Sequence, residues 1–480
     1  MGSILLLAQC LHAATVEQRV NGLIAASKEA AGGYWGIYAV EIASGRVLLA
    51  RNSRKFFVPA SNAKLFATGF AFDRLGPDYR FTTRVTTDAR PDASGRVREL
   101  RLVGGGDPNL SARKLPYDPA EADGNPLSPI ELLADQAVAS GVRVIDGDVV
   151  GDDTAYLYEP YPEGWSAEDP VWEYGAPVSA LTLNDNAFRL TLQPAEEPGL
   201  PAKLIIWPSL EHLTIHNHTV TVPAGPAKVS ISRLPGSQEL LVRGTVFDER
   251  KNLIAVADPA LYAAEALRDA LLERGVLVRG TVRALHRFVA DAPSPSPLSF
   301  EAALLRSAPL HQALQVMNKV SQNLHTELLL REIARLRTGV GSYRGGLKEL
   351  EEFLEQIGLS TADTSLKDAS GLSRLTLVTP EAVVAVLRHM YAGPHRAAWV
   401  DTLPRGGVDG TLDERFKALP RGATIQAKTG SLSHVSALAG YLTSRRGRTV
   451  AFSIIVNNYN APASSIRPVI DRVALALGGY

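Results

Sequence analysis

The chain has 480 residues, of which 45% are hydrophobic and 21% are charged. This is the composition of a folded globular protein, and the length predicts two or three domains. Lysine and arginine together number 50, as do aspartate and glutamate, so the balanced charge disfavours nucleic acid or an acidic membrane as a partner. The single cysteine, Cys10, excludes a disulfide within one chain.

An apolar run at residues 4–14 ends in the small residues Ala13 and Ala14. The run is too short to span a membrane and has the length of the hydrophobic part of a secretory signal. We therefore predict a signal peptide over residues 1–14 and export to a periplasmic or extracellular compartment, with membrane association left open. The basic residues that usually precede such a run are missing, so a disordered N-terminus is the alternative.

Two β-rich runs around a Ser-Gly turn at residues 32–50 predict a hairpin that leads to Ser61. Ser61 follows Pro59, a helix-entry signal, and precedes the apolar residues 65–72, while Lys64 lies three residues later on the same helical face. A helix N-terminus offers free N–H groups to a developing oxyanion, and this spacing brings an amine within reach of the hydroxyl. The pattern predicts an acyl-transfer nucleophile; an N-capping serine beside an exposed lysine is the alternative.

Residues 84–299 alternate short β-type runs with turns, and they end in a Pro-Ser linker at 292–297. Within them, a pattern of amphipathic helix, glycine cap and strand occurs at 129–149 and again at 264–282. We interpret the two occurrences as similar lobes of one subdomain.

The predicted division has three parts after the signal peptide. A catalytic domain is formed by residues 15–83 and 300–480, inserted domain II by 84–189 and 258–299, and a β-rich inserted domain III by 190–257.

Two polar clusters follow the linker. Ser321 and Asn323 lie between two runs with helical periodicity, so both can face one cleft from a short corner, the serine relaying a proton and the asparagine bonding a substrate amide. An N-capping serine with a turn asparagine is the alternative. Lys428, Thr429 and Gly430 belong to the first strand of a predicted three-strand antiparallel meander. They offer a cation and a hydroxyl to a carboxylate, and a residue without a side chain to let substrate lie along the strand edge.

In this order, Ser-x-x-Lys, Ser-x-Asn and Lys-Thr-Gly resemble the motifs of the penicillin-recognising serine acyltransferases. Ser321 lies 260 positions after Ser61. This long separation resembles the class C low-molecular-mass penicillin-binding proteins, the D-alanyl-D-alanine carboxypeptidase/endopeptidase family, in which extra domains separate the first two motifs. Four more segments are similar to that family, namely residues 105–108, 174–181, 368–374 and 407–411.

The resemblance implies an α/β (α+β) fold: a penicillin-binding, β-lactamase-like domain with an antiparallel sheet flanked by helices, and large β-rich insertions. It implies that Ser61 attacks the bond between two D-alanines of a peptidoglycan stem peptide and forms an acyl-enzyme. Lys64 would be the base, neutral through burial and the nearby charge of Lys428. Carboxypeptidase and endopeptidase preferences both stay open.

The resemblance also implies the remaining roles. Ser321 relays a proton to the leaving amine, Asn323 holds the acyl-side amide, and Lys428 and Thr429 bind the terminal carboxylate. The N–H groups of Ser61 and Ser431 form the oxyanion hole. We identify no dedicated deacylation carboxylate, so β-lactams are predicted to acylate the enzyme covalently and leave slowly.

The family's pocket for the free end of the stem peptide is expected to include Arg374. Asp169 is the residue predicted to pair with the diaminopimelate amine, and a solvated acidic turn is its alternative.

Rival functions are weaker. A glycine-rich stretch at 339–345 lacks the context of a phosphate loop, and no Gly-x-Ser-x-Gly motif occurs. A zinc cluster of His212, His216 and His218 has no obvious cysteine or acidic partner, so we predict no metal and no cofactor. The functional alternatives are a non-catalytic wall-binding scaffold and an esterase or β-lactamase on the same fold.

Overall fold

A computed structural model describes residues 15–120, 124–226, 228–234, 237–292 and 298–480. The predicted signal peptide, including Cys10, and most of the predicted linker at 292–297 lie outside the described residues.

The strands in chain order are β1 Tyr34–Glu41, β2 Val47–Arg51, β3 Thr82–Thr87, β4 Arg96–Val97, β5 Leu100–Val103, β6 Val144–Ile145, β7 Val149–Leu157, β8 Ala187–Gln193, β9 Lys203–Trp207, β10 Thr214–Thr221, β11 Lys228–Arg233, β12 Glu239–Val246, β13 Arg250–Ala255, β14 Leu277–Val278, β15 Val282–Arg287, β16 Phe300–Arg306, β17 Thr364–Ser365, β18 Leu377–Val378, β19 Thr424–Leu432, β20 Val435–Thr443 and β21 Thr449–Asn457. The α-helices are α1 Val16–Ala25, α2 Lys28–Ala31, α3 Lys64–Leu75, α4 Ser128–Ala139, α5 Pro259–Glu273, α6 Leu310–Lys319, α7 Asn323–Thr338, α8 Tyr343–Gln356, α9 Pro380–Ala392, α10 Arg396–Asp401 and α11 Ala463–Gly478.

The main sheet has the strand order β19-β20-β21-β1-β2, and every neighbouring pair is antiparallel. It joins the predicted C-terminal meander to the predicted N-terminal hairpin. Alternate residues of β21 pack on opposite faces: Ala451 and Ile455 join the core around α3 and α9, whereas Phe452 and Ile454 join the core around α1 and α11. Helices therefore cover both faces, which is why this strand is apolar at nearly every position.

Helix α3 is the centre of the larger core. Its residues from Lys64 to Phe72 are all buried, including the apolar run at 65–67 and 70–72. A helix that is buried all round must be surrounded by other elements, and α6, α7, α8 and α9 pack against it. The residues before α3 are thereby held beside the sheet.

Within its described residues, the inserted region contains four sheets. A five-stranded sheet has the order β15-β7-β5-β3-β16, and three-stranded sheets have the orders β14-β6-β4, β13-β8-β9 and β10-β12-β11. The two helix-glycine-strand units share two of them, since β6 pairs in parallel with β14, and β7 with β15. The outer strand pair of the five-stranded sheet, β3 and β16, reaches beyond the predicted limits 84 and 299 of the insertion.

None of the described helices combines the length and the apolar character that a bilayer crossing requires.

Candidate active site

Ser61 lies in a short 3-10 turn, Ala60–Ala63, that runs directly into α3. A distant segment of the chain, the loop at 368–374, packs against this turn. Ala60 has a left-handed backbone, with φ of 47°. A Cβ at Gly371 would meet the Ala60 carbonyl oxygen at 1.9 Å, so the loop at 368–374 can lie against this turn only with glycine there.

Lys64 is fully buried, and its Nζ has three polar partners. They are Ser61 Oγ at 2.9 Å, Asn323 Oδ1 at 2.6 Å and the Ser370 carbonyl oxygen at 2.8 Å. The last two can only accept. If the amine is neutral, its two N–H groups go to these acceptors and its lone pair faces the Ser61 hydroxyl. The site thus orients Lys64 as a base toward Ser61.

Burial lowers the pKa of Lys64 to about 7, although the Asp368 and Glu327 carboxylates act to raise it. Burial and then the charge of Lys64 keep the pKa of Lys428 well below its usual value. Repulsion between two cations is mutual, so it also acts against the charged form of Lys64, in the direction that the sequence-based expectation gave.

Ser321 and Asn323 lie in the corner between α6 and α7, where the sequence predicts them. Ser321 has a left-handed backbone, with φ of 69°. Such a conformation costs a non-glycine residue roughly 1–2 kcal/mol, and here it directs the hydroxyl to Lys428, whose Nζ lies 2.8 Å from Ser321 Oγ. Asn323 donates from Nδ2 to the Tyr174 carbonyl oxygen at 2.7 Å, which fixes its amide with Oδ1 toward Lys64.

Strand β19 forms the other wall of the site as the edge strand of the main sheet. The Ala427 N–H donates outward to the Pro404 carbonyl, so by alternation the N–H groups of Thr429 and Ser431 also point away from β20, toward the cleft. Thr429 Oγ1 donates to Thr411 Oγ1 at 2.8 Å. The strand therefore offers the Ser431 N–H and the Thr429 hydroxyl on the same side as Ser61.

Gly430 has a structural use that the sequence did not suggest. A Cβ there would meet the Pro59 carbonyl oxygen at 2.6 Å, and the Cβ atoms of Ala437 and Ala60 at 3.1 and 3.3 Å. The missing side chain makes room for the turn that carries Ser61, and the predicted place for substrate along the strand edge stays a prediction.

Ser61, Ser321 and Ser431 line a cleft that extends in two directions. One part, of about 380 Å³, also contains Thr411, Thr429, Arg415 and Arg467. The other, of about 470 Å³, contains Asn323, Tyr174, Asp169 and Arg374. The structure therefore brings every predicted site residue with a side chain to this cleft or its floor, including Asp169 and Arg374, which lie outside the three motifs.

Asp169 is partly buried and Arg374 is exposed at the rim. Burial raises the pKa of the Asp169 carboxyl, while the charge of Arg374 acts to lower it. Asp169 accepts from the Ser166 N–H at 2.8 Å, and Arg374 donates to the Ser433 carbonyl at 3.1 Å. The carboxylate and the guanidinium thus belong to the same part of the cleft.

Several supporting residues were missed in the sequence. Glu327 Oε1 accepts from the N–H groups of Ala369 and Ser370, both at 2.9 Å, and so places the carbonyl that binds Lys64. Lys319 Nζ donates to Asp409 Oδ2 at 2.5 Å in a buried pair that joins the end of α6 to the loop before Thr411. Only the similarity of segments 368–374 and 407–411 to the family pointed toward these loops.

The histidines of the rejected zinc cluster have acidic partners that the sequence did not indicate. His216 pairs with Glu239 at 2.7 Å, and His212 contacts Glu265 beside Glu211. Both carboxylate oxygens of Glu211 already bind the Arg268 guanidinium at 2.8 Å. The Glu211 oxygens are therefore engaged in an ion pair.

Residues 16–476 match the model of the D-Ala-D-Ala carboxypeptidase 3 (S13) family. The chain belongs to this family. It is 34% identical over 460 residues to the D-alanyl-D-alanine carboxypeptidase of Actinomadura sp. (strain R39), a match that covers 93% of this chain and 81% of that protein. It is 26% identical to the D-alanyl-D-alanine carboxypeptidase DacB of Haemophilus influenzae, over 88% of this chain and 85% of the relative.

The fold of this S13 chain is also that of a solved relative. The crystal structure of penicillin binding protein 4 (dacB) from Haemophilus influenzae has a TM-score of 0.82 at 24% identity and covers 96% of this chain and 99% of its own. The predicted family and fold class are confirmed. The chain is a serine-type D-alanyl-D-alanine carboxypeptidase, which confirms the predicted enzymatic function over that of a non-catalytic scaffold.

Proposed function

We propose that this carboxypeptidase cleaves the terminal D-Ala-D-Ala bond of peptidoglycan stem peptides through an acyl-enzyme on Ser61. The supporting observation is the surroundings of Lys64 Nζ: a buried amine with two obligate acceptors and one hydroxyl, that of Ser61. Ser61 Oγ forms a bond to the carbonyl carbon while its proton passes to the lone pair of Lys64. The N–H groups of Ser61 and Ser431 bind the resulting oxyanion.

The C–N bond then breaks, and the leaving D-alanine nitrogen takes a proton from the Ser321 hydroxyl, which is replaced by the proton that Lys64 accepted from Ser61. Lys428 Nζ, 2.8 Å from Ser321 Oγ, holds this hydroxyl for the relay, and Lys64 is left neutral. The carboxylate of the leaving residue binds beside the Thr429 hydroxyl in the part of the cleft that contains Arg415 and Arg467. Water next attacks the ester carbonyl and gives up a proton to the neutral Lys64 amine; the ester bond breaks, Ser61 Oγ takes that proton from Lys64, and the shortened peptide is released.

The opposite part of the cleft receives the acyl side of the stem peptide. There Asn323 bonds its amide, and Asp169 pairs with the free side-chain amine while Arg374 binds a carboxylate. A stem peptide that is cross-linked to a second strand presents the same D,D-bond, so we extend the proposal to D,D-endopeptidase activity.

We also propose that β-lactams acylate Ser61 and are released slowly. A structure of the Haemophilus influenzae protein is described as complexed with a β-lactam. In this chain Asp169, the cleft carboxylate assigned to the stem peptide, lies on the same side of the cleft as Arg374, where the free end of the substrate is proposed to bind. A β-lactamase would need, besides Lys64, a dedicated group that activates water against the β-lactam ester.

Two further parts of the sequence-based interpretation remain proposals. One is export of the mature chain after removal of residues 1–14. The other is the division into a catalytic domain, inserted domain II and inserted domain III, with β16 counted as the last strand of domain II because it pairs with β3.

The experiment is digestion of purified muropeptides, followed by mass measurement of the products, together with labelling by fluorescent penicillin. The native protein should remove one D-alanine from pentapeptides, split cross-linked dimers and keep the label for minutes. Ser61→Ala should do none of these. Loss of the label within a second would favour a β-lactamase, and an unlabelled native protein would contradict the acyl-enzyme.

A further inference from the structure

A row of three side chains crosses the sheet β13-β8-β9 on its solvent face. The register pairs Leu253 with Arg189 and Arg189 with Trp207, so the three project from the same face. Leu253 and Trp207 are 47% and 43% exposed, and the Arg189 guanidinium carbon lies 5.5 Å from the centroid of the Trp207 ring. The row presents a cation between two apolar surfaces.

This row forms one wall of a cavity of about 350 Å³ in the inserted region. Asp185 lies in its floor, where Arg113 binds both carboxylate oxygens and the buried His325 binds one of them at 2.7 Å. Among the described residues, no carboxylate forms an ion pair with Arg189. The charge of the floor is thus engaged within the fold, and the Arg189 side chain lines the cavity beside the Trp207 ring.

The cavity adjoins the catalytic cleft. Glu173 lines the cavity and the next residue, Tyr174, lines the cleft, so the turn Glu173–Gly175 separates the two. The same turn supplies the carbonyl that orients Asn323. A chain that leaves the acyl side of the cleft over this turn would enter the cavity that Arg189 also lines.

We propose that this cavity is a second binding site, in which Arg189 binds a carboxylate of an acidic peptidoglycan peptide and Trp207 and Leu253 contact its apolar portions. The proposal rests on the proposed function, since it places a neighbouring part of the same substrate. A guanidinium pairs with a planar carboxylate through two parallel hydrogen bonds, and the indole face and the leucine shield that pair from water.

The test uses protein that has first been acylated with penicillin, so that no turnover occurs. The probe is a disaccharide tripeptide, which lacks both D-alanines, with its side-chain amine acetylated so that it cannot pair with Asp169. Titration calorimetry should detect saturable binding. Arg189→Gln should weaken it about tenfold or more, the usual effect of losing a charge-assisted pair. Arg243→Gln, which changes another exposed strand arginine outside the cavity, should leave the affinity unchanged.

Two further measurements test where the probe binds and whether its carboxylates are the groups recognised. Bound probe should quench tryptophan fluorescence in the native protein, and Trp207→Phe should abolish the quenching while calorimetry still detects binding. The probe with amidated carboxylates should bind the native protein as weakly as the unmodified probe binds Arg189→Gln. The proposal is overturned if no saturable binding occurs at millimolar probe, if the two arginine variants behave alike, or if the amidated probe binds equally well. Failure of the native protein to take up penicillin would instead count against the proposed function.

Discussion

The rate of acylation should follow the neutral fraction of Lys64. Burial lowers the pKa of this group to about 7, and only the unprotonated amine can take the proton of Ser61. With that pKa, about 9% of the molecules are neutral at pH 6 and about 91% at pH 8. The second-order rate constant for acylation by fluorescent penicillin should therefore rise about tenfold between these values and level off above pH 8.

A substitution distinguishes this cause from a general effect of pH. Glu327 raises the pKa of Lys64, so Glu327→Gln should move the midpoint of the profile to lower pH. The amide oxygen can still accept the two backbone N–H groups that Glu327 binds. Glu332→Gln is the matched control, because Glu332 is also buried on α7 but is not among the charges that act on Lys64. A flat profile between pH 6 and 8, or equal midpoints in the two variants, would refute the role of Lys64 as the titrating base.

Three further predictions concern the groups that shape the site. Ser321→Gly should abolish acylation as Ser321→Ala does, yet its free energy of unfolding should be higher than that of Ser321→Ala by up to about 1 kcal/mol, because glycine removes the left-handed strain; equal melting temperatures would contradict it. Gly430→Ala should destabilise the fold by about 1–3 kcal/mol and slow acylation, whereas Gly22→Ala, with open space around it, should be neutral or stabilising in the same thermal scan. Lys319→Met should cost about 3–5 kcal/mol in urea unfolding because it leaves Asp409 buried and unpaired, and adding Asp409→Asn should restore part of that loss; simple addition of the two losses would count against the pair.

The catalytic elements could be predicted because their signals are local. The apolar run after Ser61 specifies a helix buried all round, and the helix-glycine-strand pattern at 129–149 and 264–282 specifies units that share sheets. The same reasoning placed Ser321 in a corner between helices, since periodicity breaks there on both sides. The secondary structure of such a segment depends largely on its own residues, so it can be predicted from that segment alone.

Contacts between distant segments left no such signal. Nothing near Lys319 indicates a partner 90 positions later, and nothing near His325 indicates Asp185 on the floor of a cavity in the inserted region. The packing reason for glycine at position 430 was missed for the same cause: the atom that excludes a side chain there belongs to Pro59, far away in the sequence. Fully buried polar groups require partners, but the sequence does not state which segment provides them.

The orientation of Asn323 connects the insertion to the chemistry. An amide can present either its oxygen or its nitrogen to Lys64, and only the oxygen can accept an N–H from the amine. The Tyr174 carbonyl fixes the orientation of the amide, because it accepts a hydrogen bond from Asn323 Nδ2 at 2.7 Å. Tyr174 belongs to the inserted region. Without that carbonyl, the amide could rotate and place an N–H donor against the amine, whose lone pair would then accept from Asn323 instead of facing the Ser61 hydroxyl. The insertion therefore contributes to the geometry of acyl transfer itself, and a ligand that moves the turn Glu173–Gly175 would act directly on Asn323.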